Sequence, residues 1–154
     1  MAREEAAGRT PLAIEMSFRF PVGREVVEGR WDRIDETPEG IVLIDYKTSD
    51  VDDPERADRR AEKSLAEDQL GMYALAYRET RGVLPARVEL HFVDTGRVGR
   101  ASVAEEHLDR ARERVTRAAA GIRAARFAPA PDPRKCVDCP YSRFCPHSAA
   151  RGGG

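Results

Sequence analysis

An aspartate and a lysine close an apolar segment of this 154-residue chain, Ile41-Val42-Leu43-Ile44-Asp45-Tyr46-Lys47. In a strand, residues two apart share a face, so Asp45 and Lys47 point one way and Tyr46 the other. Alone, the two make an ion pair at a sheet rim. The segment Gly29-Arg30-Trp31-Asp32-Arg33-Ile34-Asp35 extends that reading. As the neighbouring antiparallel strand, it brings a second carboxylate alongside Asp45. Two carboxylates held close repel each other unless a cation sits between them. Oxygen ligands of this kind suit Mg²⁺ or Mn²⁺, which keep several waters and accept phosphate oxygens. An ammonium beside the pair can orient a water and help deprotonate it. Asp, Asp and Lys are thus a sufficient kit for metal-assisted phosphodiester hydrolysis.

A second cluster lies near the end. Cys136, Cys139 and Cys145 have the spacing C-x2-C-x5-C, and Pro140 and Pro146 follow the last two. In a reducing compartment such a set reads as metal ligands rather than a disulfide framework. The histidines carry less: His91 alternates within a strand, His107 sits early in a helix, and His147 neighbours the cysteines. None fits a Ser or Cys nucleophile arrangement.

The elements that must hold these residues can be read from the pattern. Leu12 to Phe20 alternates as a strand with Leu12, Ile14, Met16, Phe18 and Phe20 on one face. Pro21-Val22-Gly23 is its turn, Glu25 to Asp35 a second strand, and Thr37-Pro38-Glu39-Gly40 a hairpin connection. Ile41 to Thr48 is a third strand, apolar enough to be central. Asp50 to Lys63 is a polar excursion, a loop with a short helical piece. Ser64-Leu65-Ala66-Glu67 has capping-box spacing, and a helix is expected from there to Thr80. Val88 to Asp94 and Val98 to Val103 are two more strands, joined through Thr95-Gly96, and a helix runs from Ala104 to Arg126. A Pro-rich irregular stretch ends in Gly152-Gly153-Gly154. The order βββαββα predicts an α/β domain with a mixed sheet flanked by helices. Residues 1–128 form its core and residues 129–154 a Cys-bearing tail.

Composition bounds this reading. Net charge is −1, so bulk charge does not argue for nucleic acid, but Arg110 to Arg126 holds six arginines and one glutamate. That is a solvated helix face or a track for a phosphate backbone. Only Lys47, Lys63 and Lys135 are lysines among 26 basic residues, which singles out any lysine beside apolar residues. No apolar run approaches the roughly 20 residues that span a bilayer. The charged start, Met1 to Thr10, is no secretory signal, so a soluble, cytoplasmic protein is expected.

Gly29–Asp32 followed by Ile44-Asp45-Tyr46-Lys47-Thr48 resembles the RecB-like branch of the PD-(D/E)XK nucleases, with their restriction-endonuclease-like fold. By that resemblance Asp32 and Asp45 bind Mg²⁺ or Mn²⁺ and Lys47 serves the attacking water. Asp35 competes with Asp32 but fits the offset from Gly29 less well. Asp68-Gln69-Leu70-Gly71-Met72-Tyr73 resembles the family's Q-x-x-x-Y helix, implying that Gln69 and Tyr73 reach the DNA or the edge of the active site. Glu15 matches an acidic position upstream of the GxxD strand, as a ligand or a brace. The tail is similar to the ligand set of the [4Fe–4S] nucleases of the AddB, Cas4 and Dna2 group. There the fourth cysteine comes from a segment before the nuclease strands, where this chain has none. Zinc with His147 or free thiols are the alternatives. The resemblance implies a DNA nuclease fed single-stranded or unwound ends by a helicase motor, in cis or in trans. A catalytically silent nuclease-like DNA-binding module, or a structural metal-stapled one, is the rival reading.

Overall fold

The computed structural model describes residues 9–151. The N-terminal segment before Arg9 and the closing Gly152-Gly153-Gly154 lie outside the described residues. The chain divides into two compact units, the first reaching to Ala119 and the second starting at Ala120.

In the first unit, β1 (Thr10–Val22), β2 (Glu25–Thr37), β3 (Gly40–Lys47), β4 (Arg87–Phe92) and β5 (Arg97–Ser102) form one sheet in that order. All neighbours are antiparallel except β3 and β4, which are parallel. A parallel pair needs a long crossover, and helices α1 (Pro54–Glu67) and α2 (Gln69–Arg81) supply it. Helix α3 (Glu105–Arg123) follows β5 and runs past the division between the units. The result is the mixed sheet flanked by helices that the sequence pattern predicts.

Central β3 is buried on both faces, as a near-continuous apolar run demands. On one side Leu43, Val88, Leu90 and Phe92 join Ala57, Ala61, Leu65, Leu70, Leu75 and Leu108 of the helices in a single core. Each large side chain buried there contributes about 1.5–3 kcal/mol. The other face carries Val42 and Ile44 beside a charged group built on Glu89, which is fully buried. Arg9 grips Glu89 through two hydrogen bonds of 2.9 and 2.8 Å, and Arg87 and His91 reach it at 2.9 and 2.8 Å.

Two expectations are corrected. The single apolar stripe from Leu12 to Phe20 does not hold: Phe18 and Phe20 are buried, but Leu12 and Ile14 are 50% and 67% exposed. Glu15 has a left-handed backbone, φ 49°, which reverses the strand's faces, so that Ala13 and Met16 pack on the core instead. Strand β2 reverses in step, since Trp31 and Ile34, three apart, are buried in the same core.

The polar excursion from Asp50 to Lys63 is mostly helix. Asp53 caps α1 by accepting from Glu55 N at 3.0 Å, and Pro54 occupies the first turn. Its buried stripe is the modest Ala57, Ala61 and Leu65. Small residues suit the packing, because a Cβ on Gly99 of β5 would collide with the Ala57 carbonyl. Ser64 is therefore interior to α1 rather than the cap of the next helix. The break comes at Asp68, whose non-helical backbone separates α1 from α2. Gly71 allows the tight corner, since a Cβ there would stand 2.5 Å from the Leu65 carbonyl oxygen.

The second unit holds the end of α3, the short helix α4 (Pro133–Val137) and a 3-10 turn at Ala149–Arg151. Asp132 caps α4 by accepting from Arg134 N and Lys135 N at 2.9 and 3.1 Å. The tail thus has more regular structure than its proline content predicts.

Candidate active site

Hairpin register brings the two carboxylates together. Ile34 pairs with Leu43 and Arg33 with Ile44, so Asp32 comes next beside Asp45. There the ladder stops, and the Tyr46 N–H is taken by the Asp32 side chain, Oδ2 at 3.0 Å. The strands part at this point, and a carboxylate fills the opening.

Asp45 is 1% exposed. Its Oδ2 lies 2.6 Å from Lys47 Nζ, and apart from that ion pair no group donates to this buried oxygen. Burial pushes the Asp45 carboxyl above its ordinary value. Lys47 pulls it back in part, and the charges of Asp32 and Asp68 raise it further. Sequence reasoning had assigned no role to Asp68; its signal is an acidic residue at a helix break.

Helix α2 orders the lysine. Lys47 Nζ donates to Gln69 Oε1 at 2.8 Å, and Gln69 Nε2 donates to the Tyr73 hydroxyl at 2.8 Å. Gln69 and Tyr73 are four apart and share a helical face. Trp31 anchors this helix through Nε1, which donates to the Tyr73 carbonyl at 3.1 Å. Burial raises the Tyr73 hydroxyl pKa, the Gln69 hydrogen bond opposes it, and the charges of Asp32 and Asp45 add to the rise. Asp32, Asp45, Lys47, Gln69 and Tyr73 therefore form one connected group.

Glu15 is not linked into that group. It lies across from Asp32, between the pairs Ile14↔Arg33 and Met16↔Trp31, but its ion pair is with Arg30 at 3.3 Å. Asp35 faces away from the group: fully buried, it is held by Arg33 at 2.6 and 2.9 Å. His91 serves Glu89. The arginines of α3 are largely engaged, Arg110 with Glu106, Arg112 with Glu79 and Asp109, and Arg114 with the Asp68 carbonyl.

In the second unit Cys136, Cys139 and Cys145 are free thiols, each half-buried. Backbone hydrogen bonds at Asp132 and Ala149 hold the Cys136 thiol below its ordinary value. Among the described residues no three His, Cys, Asp or Glu side chains converge as a metal-ligand set. The three thiols as they stand do not fit an iron–sulfur cluster, which takes four thiolates.

A family model described as the PD-(D/E)XK nuclease superfamily matches residues 1–146. The Gene 69 protein of Mycobacterium phage D29 is 30% identical over 141 residues, which cover 87% of this chain and 48% of that protein. The chain thus spans about half the length of that curated relative. The solved structure of SSO0001 is similar with a TM-score of 0.43 and 18% identity, over 87% of this chain and 59% of that one.

Proposed function

The chain belongs to the PD-(D/E)XK nuclease superfamily, and from that premise we propose that it is a metal-dependent deoxyribonuclease of the RecB-like branch. It acts as the nuclease part of a helicase–nuclease, processing DNA ends in recombination and repair. The observation that carries the reading is the buried Asp45 carboxylate, with only Lys47 against its Oδ2 and Asp32 alongside. One ammonium cannot offset two neighbouring carboxylates, and a divalent cation between them would. Asp32 and Asp45 would hold Mg²⁺ or Mn²⁺, hard ions suited to carboxylate ligands. When bound, the ion supplies Lewis-acid polarisation of the phosphodiester and offsets the charge that develops on it.

The chain's own groups do the rest. An ammonium has three donors. Gln69 Oε1 takes one and Asp45 crowds another, which leaves one N–H to orient the attacking water. Tyr73 accepts from the Gln69 amide nitrogen and so turns the amide oxygen toward Lys47. Its own hydroxyl proton stays available to a substrate oxygen. Glu15 braces the β1–β2 edge through Arg30 rather than holding metal.

Residues 1–128 are the nuclease core in this reading, and residues 129–154 the tail. Cys136, Cys139 and Cys145 are a partial set for a [4Fe–4S] cluster that a fourth thiolate from outside these three would complete. Single-stranded or unwound DNA is the substrate, delivered by a helicase motor in cis or in trans, and the site of action is the cytoplasm. Among the described residues no helix is long and apolar enough to cross a membrane.

Incubation of end-labelled single-stranded DNA, duplex DNA and RNA with Mg²⁺, Mn²⁺ or EDTA tests the proposal. Cleavage of single-stranded DNA with either metal and none in EDTA is expected. Binding without cleavage under every metal condition would overturn it in favour of a silent DNA-holding module.

A further inference from the structure

Beside Lys47 a groove of about 390 Å³ runs along α1, floored by Leu90 and Phe92. Arg60 and Lys63 line it, three residues apart on one face of the helix. We propose that this groove is the subsite that seats a single DNA strand next to the scissile bond, with Arg60 and Lys63 contacting its phosphates. The inference rests on the nuclease reading above.

The two cations have no partner that the fold requires. Arg60 touches Ser49 Oγ at 3.0 Å, and among the described residues neither Arg60 nor Lys63 has an ion-pair partner. Their neighbour Arg59 contrasts with them, bridging Asp53 and Glu55. The stretch from Asp50 to Asp68 has eight acidic residues for four basic ones, and of those basic residues Arg60 and Lys63 line the groove without an ion pair. Two of the chain's three lysines, Lys47 and Lys63, border this one groove. The α3 arginines that the sequence offered as a phosphate track are mostly paired, as described above.

Charge is graded along the groove. Glu67 and Asp68 stand at the α1–α2 corner, and the Asp68 charge reaches Asp45. That end favours a divalent cation. Arg60 and Lys63, up to two turns earlier on the helix, favour phosphate. The nearly buried Leu90 and Phe92 side chains present no polar group that competes for either. The volume admits a nucleotide.

The test is binding of fluorescent oligodeoxythymidylate by anisotropy over a salt series in EDTA, with cleavage kinetics in Mg²⁺ alongside. For single strands the slope of log K against log salt changes by about 0.7 per phosphate contact. Arg60→Ala/Lys63→Ala should therefore lower the slope by about 1.4 and raise KM more than it lowers kcat. The control Arg117→Ala/Arg134→Ala removes two exposed arginines outside the groove and should leave the slope unchanged. Arg60→Gln/Lys63→Gln gives the same reading if the alanine variant folds poorly. A wild-type slope in the groove variants of a protein that still cuts DNA overturns the subsite and leaves the nuclease. A wild-type chain that neither binds nor cuts overturns both.

Discussion

Asparagine in place of Asp45 preserves the shape of a side chain that is 1% exposed and removes its charge. In the metal-free protein that charge is a burden, because burial costs the carboxylate more than Lys47 returns. Desolvation of this kind that partners do not offset costs about 1–3 kcal/mol. Against this, the variant loses the contact with Lys47, whose side chain is 36% exposed; such pairs are worth at most about 1 kcal/mol. The net gain is about 1–2 kcal/mol. At about 2–4 °C per kcal/mol for a chain of this size, Tm in EDTA should rise by about 2–8 °C. Burial first, with Asp32 and Asp68 adding, raises the folded carboxyl above its ordinary value of 3.8, although Lys47 opposes. At low pH Asp45 is protonated folded and unfolded alike, and wild type and variant should match. The deficit of the wild type opens as pH climbs past the unfolded value and is complete above the folded one.

Metal should reverse the order. A ligand at a hundredfold its Kd stabilises by about 2.7 kcal/mol, and Asp45→Asn should forgo most of that gain together with DNA cleavage. Thermal denaturation at pH 8 in EDTA and in excess Mg²⁺, beside a cleavage assay, reads all of this. A lower Tm for the variant in EDTA would show that the ion pair with Lys47, not metal binding, explains the carboxylate. Equal Mg²⁺-induced shifts in both proteins would remove Asp45 from the ligands.

Lys47→Ala should keep its metal-induced Tm shift while cleavage falls about 10²–10⁴-fold, the usual contribution of acid–base assistance. Calorimetry showing metal binding lost as fully as in Asp45→Asn would contradict that role. Gly71→Ala forces a Cβ to within 2.5 Å of the Leu65 carbonyl oxygen. Overpacking of this kind costs about 1–3 kcal/mol, read as a drop in the urea midpoint; an unchanged midpoint would mean that the α1–α2 corner has slack. Glu89→Gln strands Arg9 and Arg87 beside a neutral side chain and should cost about 3–5 kcal/mol. Burial alone would raise the Glu89 carboxyl, yet hydrogen bonds from His91, Arg9 and Arg87 hold it far below its ordinary 4.5. Its contribution should therefore be complete above that value and fade only as pH falls through the lower folded one. A wild-type advantage that vanishes already between pH 6 and 5, by urea titration, would refute this.

What was legible in the sequence was local. The apolar run that opens at Ile41 and the tight turn at Thr37–Gly40 dictate the β2–β3 register, and with it the neighbourhood of Asp32 and Asp45. Gln69 and Tyr73 share a face by helical spacing alone. Helix α1 escaped because its core contacts are mostly alanines, whose small size is set by the close approach to Gly99 of a strand 42 residues later than Ala57. Its start signal, Asp53-Pro54, was nevertheless present. The capping-box spacing at Ser64 misled because a second helix restarts only past Asp68, at a corner that the missing side chain of Gly71 permits. Failure of simple alternation in β1 and β2 has a different meaning. Regular strands would keep Trp31 and Ile34 on opposite faces. Reversing both strands around Glu15 and Asp32 buries Trp31 where its Nε1 secures α2 at Tyr73. The adjacent Asp32 meanwhile turns to the Tyr46 N–H beside Asp45. Rules of local consistency are expected to break where a site is assembled, and here the break joins the helix carrying Gln69 to the strand end carrying the carboxylates.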